Sequence, residues 1–278
     1  MNNGSSGSSS KKYKLSDMSW KEAEDAFKRS DTVIVPTGTL HAHGPTPIGI
    51  DATAPDRLAD EVGKRTGMLV LPVVAYGEDD KMANYPGSIG ISPGVLEMYY
   101  YDICANLRRN GVRKIVFING HGGNREALTR AGRSARKLGM LTAILEWWTI
   151  ANDLGLYEKD TDYFQELSIG VAIHGKDNID LRKATHMGEW GDNPTKKIFG
   201  EGIIPKIFTN FKFRGASVII PVDAWEIDVA SPPYIKRDEL PKIEASGEKL
   251  IAKLSDYMAD FAKEFEKIDA DSVTPDEE

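Results

Sequence analysis

A chain of 278 residues is long enough for one large domain or two small ones. Its 41% hydrophobic and 28% charged residues are those of a soluble globular protein, and no apolar run approaches the roughly 18 residues of a membrane span. A net charge of −7 without a basic stripe argues against nucleic acid as a partner. The single cysteine, Cys104, excludes an intramolecular disulfide and a cysteine-based zinc site. It sits in a helical pattern and reads as a buried small hydrophobe, which fits a cytoplasmic protein.

Residues 1–12 are Ser/Gly-rich and read as a flexible linker or tag-like segment rather than a signal peptide. Ser19 with Glu22 three residues on is a capping-box signature before an amphipathic helix. "TVIVPTG" (32–38) reads as a buried strand, and "TAPDRLADEVGKRTG" as a helix with Pro55 in its first turn. "MLVLPVV" is expected to be a second strand, "SPGVLEMYYYDICANLRRNG" a helix and "RKIVFING" a third strand. "NREALTRAGRSARKLG" then reads as a helix and "MLTAILEWW" as a fourth strand. The strands are continuous apolar runs, as a mostly parallel sheet sandwiched by helices requires. Residues 150–235 look like loops and short elements over one end of the sheet, with "ASVIIPV" a late strand. A terminal helix runs from "RDEL" to about Lys267. The expected organisation is a single α/β domain over 13–268 and an acidic tail over 269–278.

Four of the five histidines fall in three Gly-flanked turns. His41 and His43 follow the first strand, with Asp51 eight residues beyond His43. His121 lies in "NGHGGN" (119–124) after the third strand, where glycines permit tight turns. His186 and Glu189 lie in "THMGEWGD" (185–192). In parallel sheets, ligands bind beyond the carboxyl ends of the strands. Imidazole and carboxylate together are the ligand set of zinc, manganese or iron, and a bridging carboxylate, best supplied by Asp51, can hold two ions. His174, in "AIHGKDN", reads as an ordinary polar loop residue. No G-x-G-x-x-G follows the first strand, which disfavours a dinucleotide-binding dehydrogenase.

These motifs resemble the creatininase (creatinine amidohydrolase) family. "PTGTLHAHGPTPIGID" is similar to its first motif, "YPGSIGI" (85–91) to its F-P-G-T-I-S-L, "NGHGGN" is unchanged, and "HMGE" (186–189) is similar to its H-A-G-E. The resemblance implies a metal site, often binuclear, at the sheet's carboxyl edge, and enzymes that commonly assemble as hexamers. It places His43, Asp51, His121 and Glu189 on metal-binding positions, with Asp51 as bridge, and His186 on an acid/base position. His41 stands where most of the family has a glutamate. As a ligand it would replace an anionic oxygen with a neutral nitrogen and change metal preference or empty that site.

A divalent ion lowers the pKa of bound water toward 7 and polarises a carbonyl. The expected chemistry is therefore attack of metal-bound hydroxide on a carbonyl carbon, with His186 passing a proton to the leaving group. The cofactor is one or two ions of Mn²⁺, Zn²⁺ or Fe²⁺. The substrate is a small polar cyclic amide or, alternatively, a cyclic polyhydroxy ketone such as a keto-inositol. A third reading is an inactive metal-dependent binding protein. The partners are thus a small molecule and further copies of this chain, with neither nucleic acid nor membrane. Asp80, Asn124, Trp190 and Asp192 are candidate substrate contacts. Asp79 and Lys81 are further candidates for holding the substrate, with a solvated loop as the other reading of Asp79, Asp80 and Lys81. Glu78 reads as a weaker alternative acid or an exposed side chain, and Trp147 and Trp148 as pocket walls or core.

Overall fold

The computed structural model describes residues 12–79, 82–83, 85–157, 165–182, 202–207, 210–222 and 235–272. Helix α1 (Trp20–Phe27) begins at the expected capping box, with the Ser19 hydroxyl accepting from Glu22 N and the Glu22 carboxylate accepting from Ser19 N. Strands β1 (Thr32–Thr37), β2 (Leu69–Val70), β3 (Lys114–Asn119) and β4 (Leu141–Glu146) form a sheet in the order β2-β1-β3-β4, parallel throughout. Between and after them run α2 (Ile50–Thr66), α3 (Pro93–Arg109), α4 (Asn124–Arg136), α5 (Trp147–Asp153), α6 (Gln165–His174) and the long α7 (Leu240–Glu266). A separate antiparallel sheet pairs β5 (Ile203–Ile207), β6 (Asn210–Phe213) and β7 (Ala216–Ile219).

The strands alternate between two cores because successive side chains leave opposite faces of a sheet. Ile34, Val116 and Ile118 meet Leu58 of α2 and Leu254 and Met258 of α7 on one face. Val33, Val35, Ile115 and Phe117 meet Leu96, Tyr100 and Cys104 of α3 and Leu128 of α4 on the other. Both faces are therefore covered, and every residue of β1 and β3 is buried. A third cluster joins Leu167 and Val171 of α6 to Leu240 and Ile243 of α7.

Several expected boundaries move, each for a local reason. "MLVLPVV" yields only the two-residue β2, followed by a lone bridge from Val74 to Thr37, because Pro72 has no N–H for the ladder. "MLTAILEWW" ends as strand at Glu146, and both tryptophans open α5. The late strand "ASVIIPV" closes at Ile219 and belongs to the small antiparallel sheet. Within 150–235, the expected short elements include the end of α5 and all of α6. Helix α2 starts at Ile50, so Pro55 lies inside it and Asp51 occupies its first turn.

That last shift positions the site. Pro55 has no N–H to give to the carbonyl of Asp51, four residues earlier. Gly38 and Gly120, just past β1 and β3, close on that same carbonyl. A Cβ at Gly38 would sit 2.1 Å from Asp51 O and one at Gly120 2.0 Å from it. Only glycine allows two strand ends to approach a helix backbone so closely. The first turn of α2 is thereby wedged over the carboxyl edge of the sheet.

Candidate metal centre

All four strand ends feed one cavity of about 420 Å³, a size suited to a small ligand. The segment after β1 brings His41 and His43, that after β2 brings Glu78 and Asp79, that after β3 brings His121, and that after β4 brings Trp148. Backbone bonds fix the first segment: His41 N donates to Ile48 O, Ile89 N donates to Leu40 O, and the Thr46 hydroxyl donates to His43 O. Asn119 sets the turn of the third. Its side-chain amide donates to His121 O, its oxygen accepts from His121 N, and that oxygen also receives the Thr37 hydroxyl.

Three imidazoles converge on the Asp51 carboxylate, which is 3% exposed. His41 Nε2 lies 3.0 Å from Asp51 Oδ2, His43 Nε2 2.9 Å from Oδ1, and His121 Nδ1 2.8 Å from Oδ2. The outer nitrogens of two rings face further carboxylates. His41 Nδ1 is 3.0 Å from Asp79 Oδ1, and His43 Nδ1 is 3.4 Å from Glu166 Oε2 on α6. Such outer carboxylates fix a ring's tautomer, placing the proton on Nδ1 and the lone pair on Nε2. The two Nε2 atoms are only 2.6 Å apart. When neither carries a proton, these nitrogens and the two Asp51 oxygens are converging acceptors that a proton or a metal ion must separate. Ligand atoms of His41, His43 and Asp51 all lie within 4.8 Å of one another, so the donor set fits a divalent metal.

The electrostatics point the same way. Burial works against a charged His43, yet the Asp51 and Glu166 carboxylates outweigh it and hold its pKa well above the ordinary value. His121, likewise opposed by burial, is raised to about 9 by Asp51 and Glu78. Burial would raise Asp51, but the three surrounding histidines keep it well below the usual carboxylate range. The pocket demands positive charge, and protons or a metal ion can supply it.

The structure gathers His41, His43, Asp51 and His121 into this group. His186, Glu189, Trp190, Asp192, Asp80 and Lys81 lie outside the described residues. Asn124 is fully buried beneath the cavity rather than on its wall, with its amide committed to backbone: its oxygen accepts from Glu78 N at 2.9 Å and its nitrogen donates to Gly38 O at 3.0 Å. That geometry clips the β2 and β1 segments together. Asp79, read as part of a solvated loop, is 2% exposed, and Glu78, read as exposed, is 8% exposed. Trp147 is core, as its neighbourhood suggested, whereas Trp148 lines the cavity. Glu166 went unnoticed because nothing local marks it; only the packing of α6 brings it to His43. His174 ends α6 and is not a loop residue: its Nε2 lies 2.9 Å from the Thr53 hydroxyl, and burial lowers its pKa.

A parallel sheet with helices on both faces and a histidine–carboxylate cluster at its carboxyl edge defines an α/β protein built around a candidate metal centre. The creatininase family model, described as creatinine amidohydrolase, matches residues 16–177, and the chain belongs to the creatininase family. It is 28% identical to the creatinine amidohydrolase of Pseudomonas putida over 158 residues, 52% of this chain and 61% of that protein. It is 30% identical to the 3-dehydro-scyllo-inosose hydrolase of Thermotoga maritima over 107 residues, 38% of this chain and 34% of that protein. The chain thus spans less than two thirds of the length of either relative. Among solved structures it is similar to "Creatininase Mn", with a TM-score of 0.66 at 21% identity over 93% of this chain and 100% of that one, a likeness of fold.

Proposed function

We infer that this chain is a metal-dependent hydrolase that opens a small polar cyclic substrate at a carbonyl, with a cyclic amide as the first substrate class. The observation that carries this reading is the convergence of three imidazoles on the buried Asp51 carboxylate inside a cavity of about 420 Å³. Asp51, His41, His43 and His121 would hold a divalent ion, Mn²⁺ or Zn²⁺ or Fe²⁺, with Glu189 as a further ligand and Asp51 as bridge should two ions bind. When bound, such an ion makes coordinated water acidic and polarises a carbonyl oxygen.

The chain's own groups supply the rest. Asp79 and Glu166 keep the His41 and His43 rings aimed inward. Gly122 and Gly123 line the cavity at the amino end of α4, where backbone N–H groups and the helix dipole favour negative charge developing on an oxygen. Trp148 walls off water from one side. His186 would carry the proton to the leaving group, and Trp190 and Asp192, with Asp80, would contact the substrate. Cytoplasmic location and homo-oligomeric, hexameric assembly complete this reading; among the described residues no helix is long and apolar enough to cross a membrane.

A second reading is a hydrolase that opens a cyclic polyhydroxy ketone by carbon–carbon cleavage, favoured by the similarity to the inosose hydrolase. The same ion and the same proton carrier would serve a carbon leaving group. Cyclic amides, formamides and keto-inositols, offered to protein loaded with Mn²⁺ or Zn²⁺, separate the two. Turnover should vanish with a chelator and return with metal. Metal uptake without turnover of any of these would instead identify a binding protein.

A further inference from the structure

We propose that the segment after β2 is part of the metal centre: Glu78 gives a carboxylate oxygen to the ion beside His121, and Asp79 holds His41 in its ligating orientation. This rests on the metal-dependent reading above and extends it to two residues that the motifs do not single out.

The first ground is charge. Three neutral imidazoles and the Asp51 carboxylate supply one negative charge, which leaves half the charge of a divalent ion unbalanced in a buried pocket. Buried charge is costly unless paired. Three further carboxylates line the same cavity, Glu166 beside His43 and, more deeply buried, Glu78 and Asp79, which are 8% and 2% exposed. Glu78 and Asp79 add negative charge that an ion bound in this cavity would balance.

The second ground is placement. Glu78 Oε2 lies 3.7 Å from His121 Nε2, too far for a hydrogen bond. Two atoms that each bind zinc at 2.0–2.2 Å are separated by no more than about 4.4 Å, so this pair can share one ion on the Nε2 side of the ring, away from the Nδ1 that faces Asp51. Position 123 leaves room for the carboxylate, since a Cβ on Gly123 would fall 1.8 Å from Glu78 Oε2. The backbone under Glu78 is pinned by the bond from its N to the buried Asn124. Asp79 Oδ1 faces His41 Nδ1 at 3.0 Å, while Asp79 Oδ2 is buried without a hydrogen-bond partner among the described residues. A buried carboxylate oxygen with no donor is expensive in the metal-free protein and gains when a cation occupies the neighbouring site.

The test uses the full chain, stripped of metal and titrated with Mn²⁺ and Zn²⁺ against a chromophoric chelator, with bound metal counted by elemental analysis. Glu78→Gln should lower affinity at least tenfold or reduce stoichiometry. Asp79→Asn should lower affinity about 10- to 100-fold, the usual effect of losing an outer partner of a ligating histidine. Asp79→Asn should also alter the visible spectrum of the Co²⁺-loaded protein, which a purely packing role would leave unchanged. Glu78→Asp, which keeps the charge and retracts the oxygen by one methylene, answers the same question if Glu78→Gln does not fold. Wild-type affinity and stoichiometry in the Glu78 variants, with an unaltered Co²⁺ spectrum in Asp79→Asn, overturn the proposal. Wild-type protein that binds no metal overturns the hydrolase reading itself, so the two failures are distinguishable.

Discussion

Asp51 is the residue on which the site turns, because both its oxygens already face imidazole nitrogens. Asp51→Ala should abolish metal binding and turnover together, and intact metal content in that variant would refute its role as central ligand. His186→Ala should behave differently, retaining metal while slowing turnover by roughly 10²-fold, the usual effect of losing a general acid. Single-turnover rates at matched metal occupancy would check this. At this scale the sequence was informative where chemistry is rare: few histidines, each beside glycine, could be joined by motif. It was ambiguous for Glu78 and Asp79, which offered an alternative acid and a substrate contact but, as acids in a loop, read more readily as solvated. Only coordinates reveal that Asn124 draws their segment inward. Glu166 was invisible for a different reason, because its partner His43 lies far away in sequence.

Elements place these residues, and the placement depends on close backbone contact. Gly120→Ala would drive a Cβ to 2.0 Å from Asp51 O and 2.7 Å from the Pro55 ring. Helix α2 must then lift, at a cost of about 1–3 kcal/mol typical of overpacking, and Asp51 moves with it. Denaturant titration should show the lost stability and chelator competition a weakened metal affinity; an unperturbed variant would mean that the wedge is not rigid. The amino-terminal segment is anchored to the same helix. Tyr13 Oη donates to Asp60 Oδ1 at 2.7 Å, and the Lys14 and Lys64 ammonium groups each approach Asp60 to 2.7 Å. Burial alone would raise the pKa of Asp60, but these three partners outweigh it and lower it to about 2. Between that value and the unfolded value of 3.8 the folded chain binds fewer protons than the unfolded one. The contribution, on the order of 1 kcal/mol after allowance for half-exposed partners, is therefore present above about pH 4 and lost as pH falls toward 2. The stability gap between wild type and Asp60→Asn should shrink over that interval; a constant gap would count against the anchor. The helix–strand order of this layered core was legible from apolar runs, whereas the ends were not. A single proline cut β2 to two residues, and Trp147, buried in the core that α2 and α7 cover, opens a helix where the apolar run suggested a continuing β4.

At the scale of the whole molecule, the folded chain gathers Asp51, Glu78, Asp79 and Glu166 around three imidazoles from two segments. Protonated imidazoles hold this gathering together in the metal-free protein, and a bound metal ion stabilises it further, because the unfolded chain has no assembled site to offer the ion. Folding and metal binding are thus linked, and stability should rise with free metal as RT ln(1 + [M]/Kd), about 2.7 kcal/mol at one hundred times Kd. For a chain of this length that corresponds to a rise in Tm of about 5–10 °C. Differential scanning calorimetry of stripped protein, with and without Mn²⁺ or Zn²⁺, measures it directly. Excess chelator should return the transition to its metal-free position, and Asp51→Ala should show one Tm regardless of metal. The small sheet β5-β6-β7 sends no described residue into the cavity, so its contribution to the transition should not depend on metal. A wild-type Tm insensitive to both metals would mean that the converging imidazoles are held by protons alone, and the catalytic reading would lose its foundation.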